Sequence, residues 1–102
     1  MQKKLSNIHP GEILFEEFLK PLNISQNKLA RATGVPARRI NEICLHKRAI
    51  SVDTAIRLGK YFTTEPEFWL NLQNMYDMEE AKKIKVSIYS TIKPHDFSQK
   101  AG

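Results

Sequence analysis

The side chains with the richest hydrogen-bonding chemistry crowd into one short stretch, PARRINEICLHKR. Arg38 and Arg39 are adjacent, Asn41 follows one helical turn later, and Lys47 and Arg48 close the stretch. Guanidinium and amide groups are planar, so they can form paired hydrogen bonds with a flat polar partner such as a carboxylate, a phosphate or the edge of a base. A buried helix would not carry this much charge, so we predict that the stretch presents it to a ligand.

The charge distribution along the chain singles out the same region. The 102 residues have a net charge of +5. Residues 25–60 alone hold eight Lys or Arg and two Asp or Glu, whereas residues 1–24 are neutral and residues 61–102 carry −1. An uneven basic block inside a folded chain is typical of a nucleic-acid binder. The expected partner is therefore a polyanion.

Other kinds of site find little support in the sequence. The single cysteine, Cys44, excludes an intrachain disulfide and a cysteine-based zinc finger, and His9, His46 and His95 lack the spacing of metal ligands or a catalytic triad. We predict no catalytic residue, no metal and no cofactor. Cys44 is expected to pack, with redox sensing as an alternative because neighbouring arginines lower a thiol pKa. The chain lacks a membrane-length apolar run and a signal-like start, so a cytoplasmic protein is expected.

Helix caps and proline breaks predict five helices that would position these groups. They begin near Pro10, Ser25, Pro36, Ser51 and the T-x-x-E capping box at Thr64–Glu67. Apolar residues recur at helical spacing within each segment. The predicted fold is therefore all-α, a five-helix repressor-like domain.

The second and third predicted helices, joined by a short turn, have the arrangement of a helix-turn-helix. Gly34 lies where a left-handed residue ends a helix, and Ala30 is small enough for the two helices to cross closely. Ile40 and Ile43 face one way and would anchor the third helix to the core. Its opposite face should therefore be held outward.

In a helix-turn-helix, the second helix of the motif enters the major groove of DNA. Arginine can pair with guanine, asparagine with adenine and glutamate with cytosine, although the glutamate may instead orient an arginine. We predict base contacts from Ala37, Arg38, Asn41 and Glu42. We predict phosphate contacts from Gln26, Arg39, Lys47 and Arg48.

The rest of the chain divides into an arm, a domain and an extension. Residues 1–8 are expected to be a flexible arm, residues 9–83 the helix-turn-helix domain, and residues 84–102 an extension that pairs in a dimer and then frays. In that extension Ile84, Val86 and Ile88 alternate as in a strand, whereas Ile84, Ile88 and Ile92 have the spacing of a helix. The β-branched content favours a short strand. The apolar face around Trp69 is expected to be core, with a dimer seam as the alternative.

Three segments together carry a family resemblance: HPGEILFEEFLKPLNISQNKLARATGVPARRINEI, HKRAISVDTAIRLGKYF and PEFWLNLQNMYD. They closely resemble the HigA-type antitoxins of the XRE helix-turn-helix family, some of which were earlier labelled virulence-associated protein I. The resemblance covers roughly residues 8–80. It implies a homodimer that represses its own operon at a palindromic operator. It also implies a HigB-type partner toxin, an mRNA-cutting ribonuclease.

The sequence departs from that family at two turns and leaves other functions open. His46 and Thr63 stand where relatives commonly have glycine, and histidine tolerates a left-handed backbone better than most residues. The alternatives are a helix-turn-helix regulator without a toxin partner and a protein-interaction inhibitor that does not read DNA. A single-strand or RNA binder would need exposed aromatic residues among the basic ones, which are absent here. An enzyme is not predicted.

Overall fold

The computed structural model describes residues 7–98, and this part of the chain contains five helices and no strand. The first helix, α1, begins with an α-helical turn and continues as a π-helix. The bounds are Pro10–Ile13 and Leu14–Leu19 for the two parts of α1, Gln26–Thr33 for α2, Ala37–Cys44 for α3, Val52–Phe62 for α4 and Pro66–Tyr89 for α5. The predicted all-α, five-helix class is confirmed.

The predicted caps of α2 and α4 are confirmed. The Ser25 hydroxyl accepts a hydrogen bond from the Lys28 N–H at 3.0 Å, and the Ser51 hydroxyl accepts one from the Thr54 N–H at 3.2 Å. Each bond satisfies a backbone donor that the first helical turn leaves free. Gly34 ends α2 in the left-handed region, with φ of 75°. These local signals fix where the helix-turn-helix begins and turns.

The predicted capping box of α5 is wrong. The N-cap residue is Glu65, which makes no side-chain cap, and Pro66 occupies the first turn. The Thr64 hydroxyl instead accepts a hydrogen bond from the Trp69 indole N–H at 2.9 Å. Because Trp69 is fully buried, its N–H needs an internal acceptor, and this need overrides the local cap.

The core contains side chains from all five helices and from the turn inside the helix-turn-helix. Trp69 of α5 is its largest fully buried member. The other buried apolar residues are Leu14, Leu19, Leu29, Ala30, Val35, Ile40, Ile43, Ile50, Ala55 and Leu58. The core prediction for Trp69, and the anchoring role predicted for Ile40 and Ile43, are therefore confirmed.

A glycine allows α1 to approach the end of α3 very closely. A Cβ atom on Gly11 would lie 1.8 Å from the Ile43 carbonyl oxygen, so no side chain fits there. The backbone of α1 thus supports α3 from behind, on the side opposite its exposed face. This contact contributes to the fixed orientation of α3.

The strand predicted within residues 84–92 is wrong, because α5 continues as a helix to Tyr89. Its dihedral angles depart from helical values only at Lys85, with φ of −116° and ψ of 19°. A strand needs a neighbouring strand to satisfy its backbone, and residues 7–98 supply none, whereas a helix satisfies its own. Propensity for β structure is weaker than this requirement.

The two ends of the chain lie partly outside the described residues, namely residues 1–6 of the predicted arm and residues 99–102 of the tail. Asn7, the first described residue, donates hydrogen bonds to the Tyr76 carbonyl at 2.8 Å and to the Glu80 carboxylate at 3.0 Å. The predicted arm is therefore attached to α5 at this point. None of the helices described has the length and apolar character to span a bilayer.

Candidate nucleic-acid interface

The turn between α2 and α3 is held by contacts from α2 and α4. The Gly34 N–H donates to the Ala30 carbonyl at 2.9 Å, which closes the end of α2. From α4, Arg57 donates its Nη1 to the Thr33 carbonyl at 2.9 Å and its Nε to Asp53 at 2.9 Å. The Asp53–Arg57 spacing is visible in the sequence, but the contact with Thr33 is not, because it joins residues 24 positions apart. Arg57 is thus a structural residue of the motif that the sequence did not reveal.

Helix α3 has one fully buried face and one polar outer face. Ile40 and Ile43 have no exposed surface, whereas the Arg38 side chain is 89% exposed. Ala37 and Asn41 are also exposed. The predicted base-contacting residues other than Glu42 therefore point away from the core, as a groove-reading helix requires.

Asn41 and Gln26 join the outer face of α3 to the start of α2. The Asn41 amide nitrogen donates to the Gln26 side-chain oxygen at 3.2 Å. One residue predicted to read bases is thus in contact with one predicted to bind phosphate. The bond restricts both side chains before any ligand arrives.

Glu42 is half-buried between two arginines. Its Oε1 accepts a hydrogen bond from the Nε of Arg48 at 2.7 Å, and its Oε2 accepts one from the Nε of Arg38 at 3.2 Å. The hydrogen bond from Arg48, reinforced by that from Arg38, holds the pKa of the Glu42 carboxyl below its ordinary value. Glu42 is therefore ionised at neutral pH, and both of its oxygens already have partners.

Helix α3 ends in a Schellman motif with a histidine in the usual glycine position. His46 has φ of 65° and donates its N–H to the Ile43 carbonyl at 3.0 Å, while the Lys47 N–H donates to the Glu42 carbonyl at 2.8 Å. The left-handed backbone predicted for His46 is confirmed. Lys47 and Arg48 are exposed just beyond this turn, and Arg39 is half-buried on α3 itself.

His9 supports that turn from below, which the sequence did not predict. It is 3% exposed, and its Nδ1 accepts a hydrogen bond from the Gly11 N–H at 2.9 Å, so it caps α1. Its ring stacks on His46 with centroids 5.0 Å apart and meets the edge of Tyr76 at 4.8 Å. Burial, followed by the charge of His46, lowers the pKa of His9. The only local signal for this role in the sequence was the position of His9 directly before Pro10-Gly11, where the N-cap of a helix is expected.

Cys44 does not have the chemistry of a redox sensor. Burial raises the pKa of its thiol to about 11, contrary to the lowering considered from the neighbouring arginines. A thiol with this pKa is almost wholly protonated at neutral pH and reacts slowly. Across residues 7–98, no cluster of histidine, cysteine and acidic side chains could hold a metal ion.

A second exposed surface lies along α5 and differs in character from the outer face of α3. We give the name α5 apolar face to its large exposed apolar residues, which lie on more than one side of the helix: Met75, Met78, Ile84, Val86 and Ile88. Met75 is 66% exposed and Ile84 is 70% exposed. Several large apolar side chains left exposed along one helix are typical of an interaction surface.

Comparison with known proteins places the chain among DNA-binding regulators. Residues 15–69 match the profile of the helix-turn-helix family. The chain is 47% identical over 87 residues to virulence-associated protein I of Dichelobacter nodosus, a match that covers 85% of this chain and 81% of the relative.

Two solved structures share the fold. The Pseudomonas aeruginosa antitoxin HigA, determined with the higBA promoter, is 47% identical with a TM-score of 0.83, and the match covers 87% of this chain and 98% of that one. The antitoxin GraA, determined in complex with its operator, is 38% identical with a TM-score of 0.83, and the match covers 94% and 98%.

Proposed function

This chain belongs to the XRE helix-turn-helix family and, within it, to the HigA-type DNA-binding antitoxins, and from that premise we propose how it works. It binds a palindromic operator as a homodimer, represses its own toxin–antitoxin operon, and neutralises a HigB-type toxin that cleaves mRNA. Proteins of this family are regulators rather than enzymes.

The observation that carries the DNA-reading part is the outer face of α3. Its polar side chains are exposed while Ile40 and Ile43 fix the helix from behind. We assign base contacts to Ala37, Arg38 and Asn41, with Arg38 suited to guanine and Asn41 to adenine. Phosphate contacts are assigned to Gln26, Arg39, Lys47 and Arg48, which surround that face.

The dimer is supported by the α5 apolar face. A single protomer leaves these side chains in water, and burying them against a second copy would stabilise the pair. To read a palindrome, the two-fold axis of that dimer must set the two α3 helices in successive major grooves, about 34 Å apart. A palindromic operator follows from that symmetry.

The toxin part is supported by kinship alone. The relative determined with the higBA promoter is itself described as an antitoxin, and this chain matches nearly all of that relative. We therefore expect the reading frame beside this gene to encode an mRNA-cleaving toxin whose action the protein blocks.

A footprint on the DNA upstream of the protein's own gene tests the proposal. We expect protection of a palindrome, with and without the product of the neighbouring reading frame, and rescue of growth when that product is co-expressed with this chain. Protection of the DNA without rescue of growth would indicate a regulator that lacks a toxin partner. Rescue without protection would leave an inhibitor that does not read DNA.

A further inference from the structure

Glu42 connects two parts of the interface that the backbone keeps apart. Arg38 lies in the first turn of α3, whereas Arg48 lies beyond the left-handed turn at His46. One carboxylate binds both, through Oε2 at 3.2 Å and Oε1 at 2.7 Å. The side chain of Glu42 thus links the start of the helix to the loop that follows it.

Both contacts use the Nε atom of the arginine, which leaves the far end of each guanidinium available. Among the described residues, the terminal Nη nitrogens of Arg38 and Arg48 have no hydrogen-bond partner. In each arginine, the two Nη nitrogens form the pair that a guanidinium can direct end-on at guanine O6 and N7, or at phosphate oxygens. The carboxylate therefore orients each arginine without blocking its DNA-binding end.

A reader of cytosine would need a free carboxylate oxygen at the tip of the side chain. Each oxygen of Glu42 already accepts a hydrogen bond from an arginine, and the residue is half-buried, unlike Arg38 beside it. A negative charge in a basic surface also opposes DNA binding in general, so its presence there calls for a specific role.

We propose that Glu42 is a positioning residue, which sets Arg38 and Arg48 together in their DNA-contacting orientations and does not itself read a base. The inference rests on the proposed function, since it assumes that α3 reads DNA. Its consequence is a trade-off: Glu42 weakens binding to any duplex through its charge, and strengthens the preference for the correct one by ordering the arginines beforehand.

The test uses a duplex selected from a random-sequence pool by the wild-type protein, and a scrambled duplex of the same length. Glu42→Gln keeps the size of the side chain and removes its charge. We expect tighter binding to the scrambled duplex and a roughly fivefold smaller preference for the selected one, since ordering a free arginine changes a binding constant by about two- to tenfold. Glu16→Gln is the matched control, because Glu16 forms a similar exposed pair with Lys20 on α1.

A double-mutant cycle separates positioning from a merely structural role. In an Arg38→Ala background, Glu42→Gln should change the preference much less than it does in the wild type. Thermal unfolding of each variant checks that the fold is intact, and Glu42→Asp supplies a charged variant if Glu42→Gln fails to fold.

Four outcomes are decisive. An unchanged preference in Glu42→Gln, or a loss equal in the presence and absence of Arg38, overturns the inference while leaving the proposed function standing. A loss confined to a cytosine position in the selected duplex overturns it in favour of direct base reading. A wild-type protein that enriches no sequence overturns the proposed function itself.

Discussion

The outer face of α3 and the α5 apolar face are both exposed, yet they differ in the contacts that their side chains already make. On α3, Asn41 bonds to Gln26 and Arg38 bonds to Glu42, so the polar groups already have partners. On α5, Met75 and Ile84 have most of their surface in water. A polar surface can be pre-ordered by its own hydrogen bonds, whereas an apolar one gains stability only when another surface covers it.

This difference predicts separate consequences for mutations on the two faces. Substitutions on α5 should weaken the dimer, and they should weaken DNA binding because the dimer is lost. Changes on α3 should alter DNA binding without altering assembly.

The largest effect is expected from charging the α5 apolar face. Ile84→Asp combined with Ile88→Asp should convert a dimer into a monomer, because two carboxylates would have to be buried without partners. Operator affinity should fall by about a hundredfold, since two linked half-sites then bind separately. Sedimentation measures the oligomeric state, and gel shifts measure the operator affinity.

Phe97→Asp, on an exposed residue beyond α5, is the control for the double change on α5. A dimer that survives the double change would mean that another surface pairs the protomers.

The next effect is expected from the base-reading residues. Arg38→Ala and Asn41→Ala should each cost about 1–3 kcal/mol on the operator and much less on random duplex, because each removes paired hydrogen bonds to a base. Sedimentation should show an unchanged oligomeric state. If Arg38→Ala weakens both duplexes equally, the residue contacts phosphate and does not read a base.

A smaller and more uniform effect is expected from Arg48. Arg48→Ala should weaken all DNA to a similar degree and reduce the slope of log affinity against log salt by about one, because one phosphate contact is lost. Titrations at four salt concentrations measure the slope. Lys82→Ala, on α5, should leave it unchanged, and a slope unchanged in Arg48→Ala would remove that residue from the phosphate set.

The smallest effect concerns His9, whose ring contacts His46, in the turn after α3, and Tyr76 of α5. Folding lowers the pKa of His9 from its ordinary value of 6.5, so the folded state favours the neutral ring. Its contribution to stability is therefore complete above pH 6.5 and is lost as the pH falls from there towards the lowered value. Protonation would also remove the Nδ1 acceptor that caps α1.

Urea unfolding at pH 7.5 and pH 5.5 measures this dependence. His9→Asn should reduce the difference in unfolding free energy between the two pH values, and His95→Asn, on the exposed tail, should not. If His9→Asn leaves the pH difference unchanged, other groups cause it.

The sequence predicted well those features that depend on neighbouring residues. The Ser25 and Ser51 caps and the left-handed turns at Gly34 and His46 are formed by residues a few positions apart, so the chain itself encodes them. The buried side of α3 followed from the spacing of two isoleucines. These local signals sufficed for the helix-turn-helix, whereas the family was inferred from the resemblance of three longer segments.

The errors arose where a distant residue competed with a local preference. The Thr64 hydroxyl accepts from Trp69 and does not cap α5, because a buried indole needs an acceptor. Ile84, Val86 and Ile88 lie in a helix, because a strand requires a partner that the described chain does not supply.

By itself, the sequence determined near which residues the five described helices begin, the turn between α2 and α3, and which face of α3 is polar, since all three follow from interactions within a few residues. Only the tertiary structure decided that Arg57 holds the Thr33 carbonyl, that His9 stacks under His46, and that Arg38 and Arg48 share one carboxylate. Each of these contacts depends on how helices and loops pack in three dimensions, and the spacing of residue types along a chain does not specify that packing.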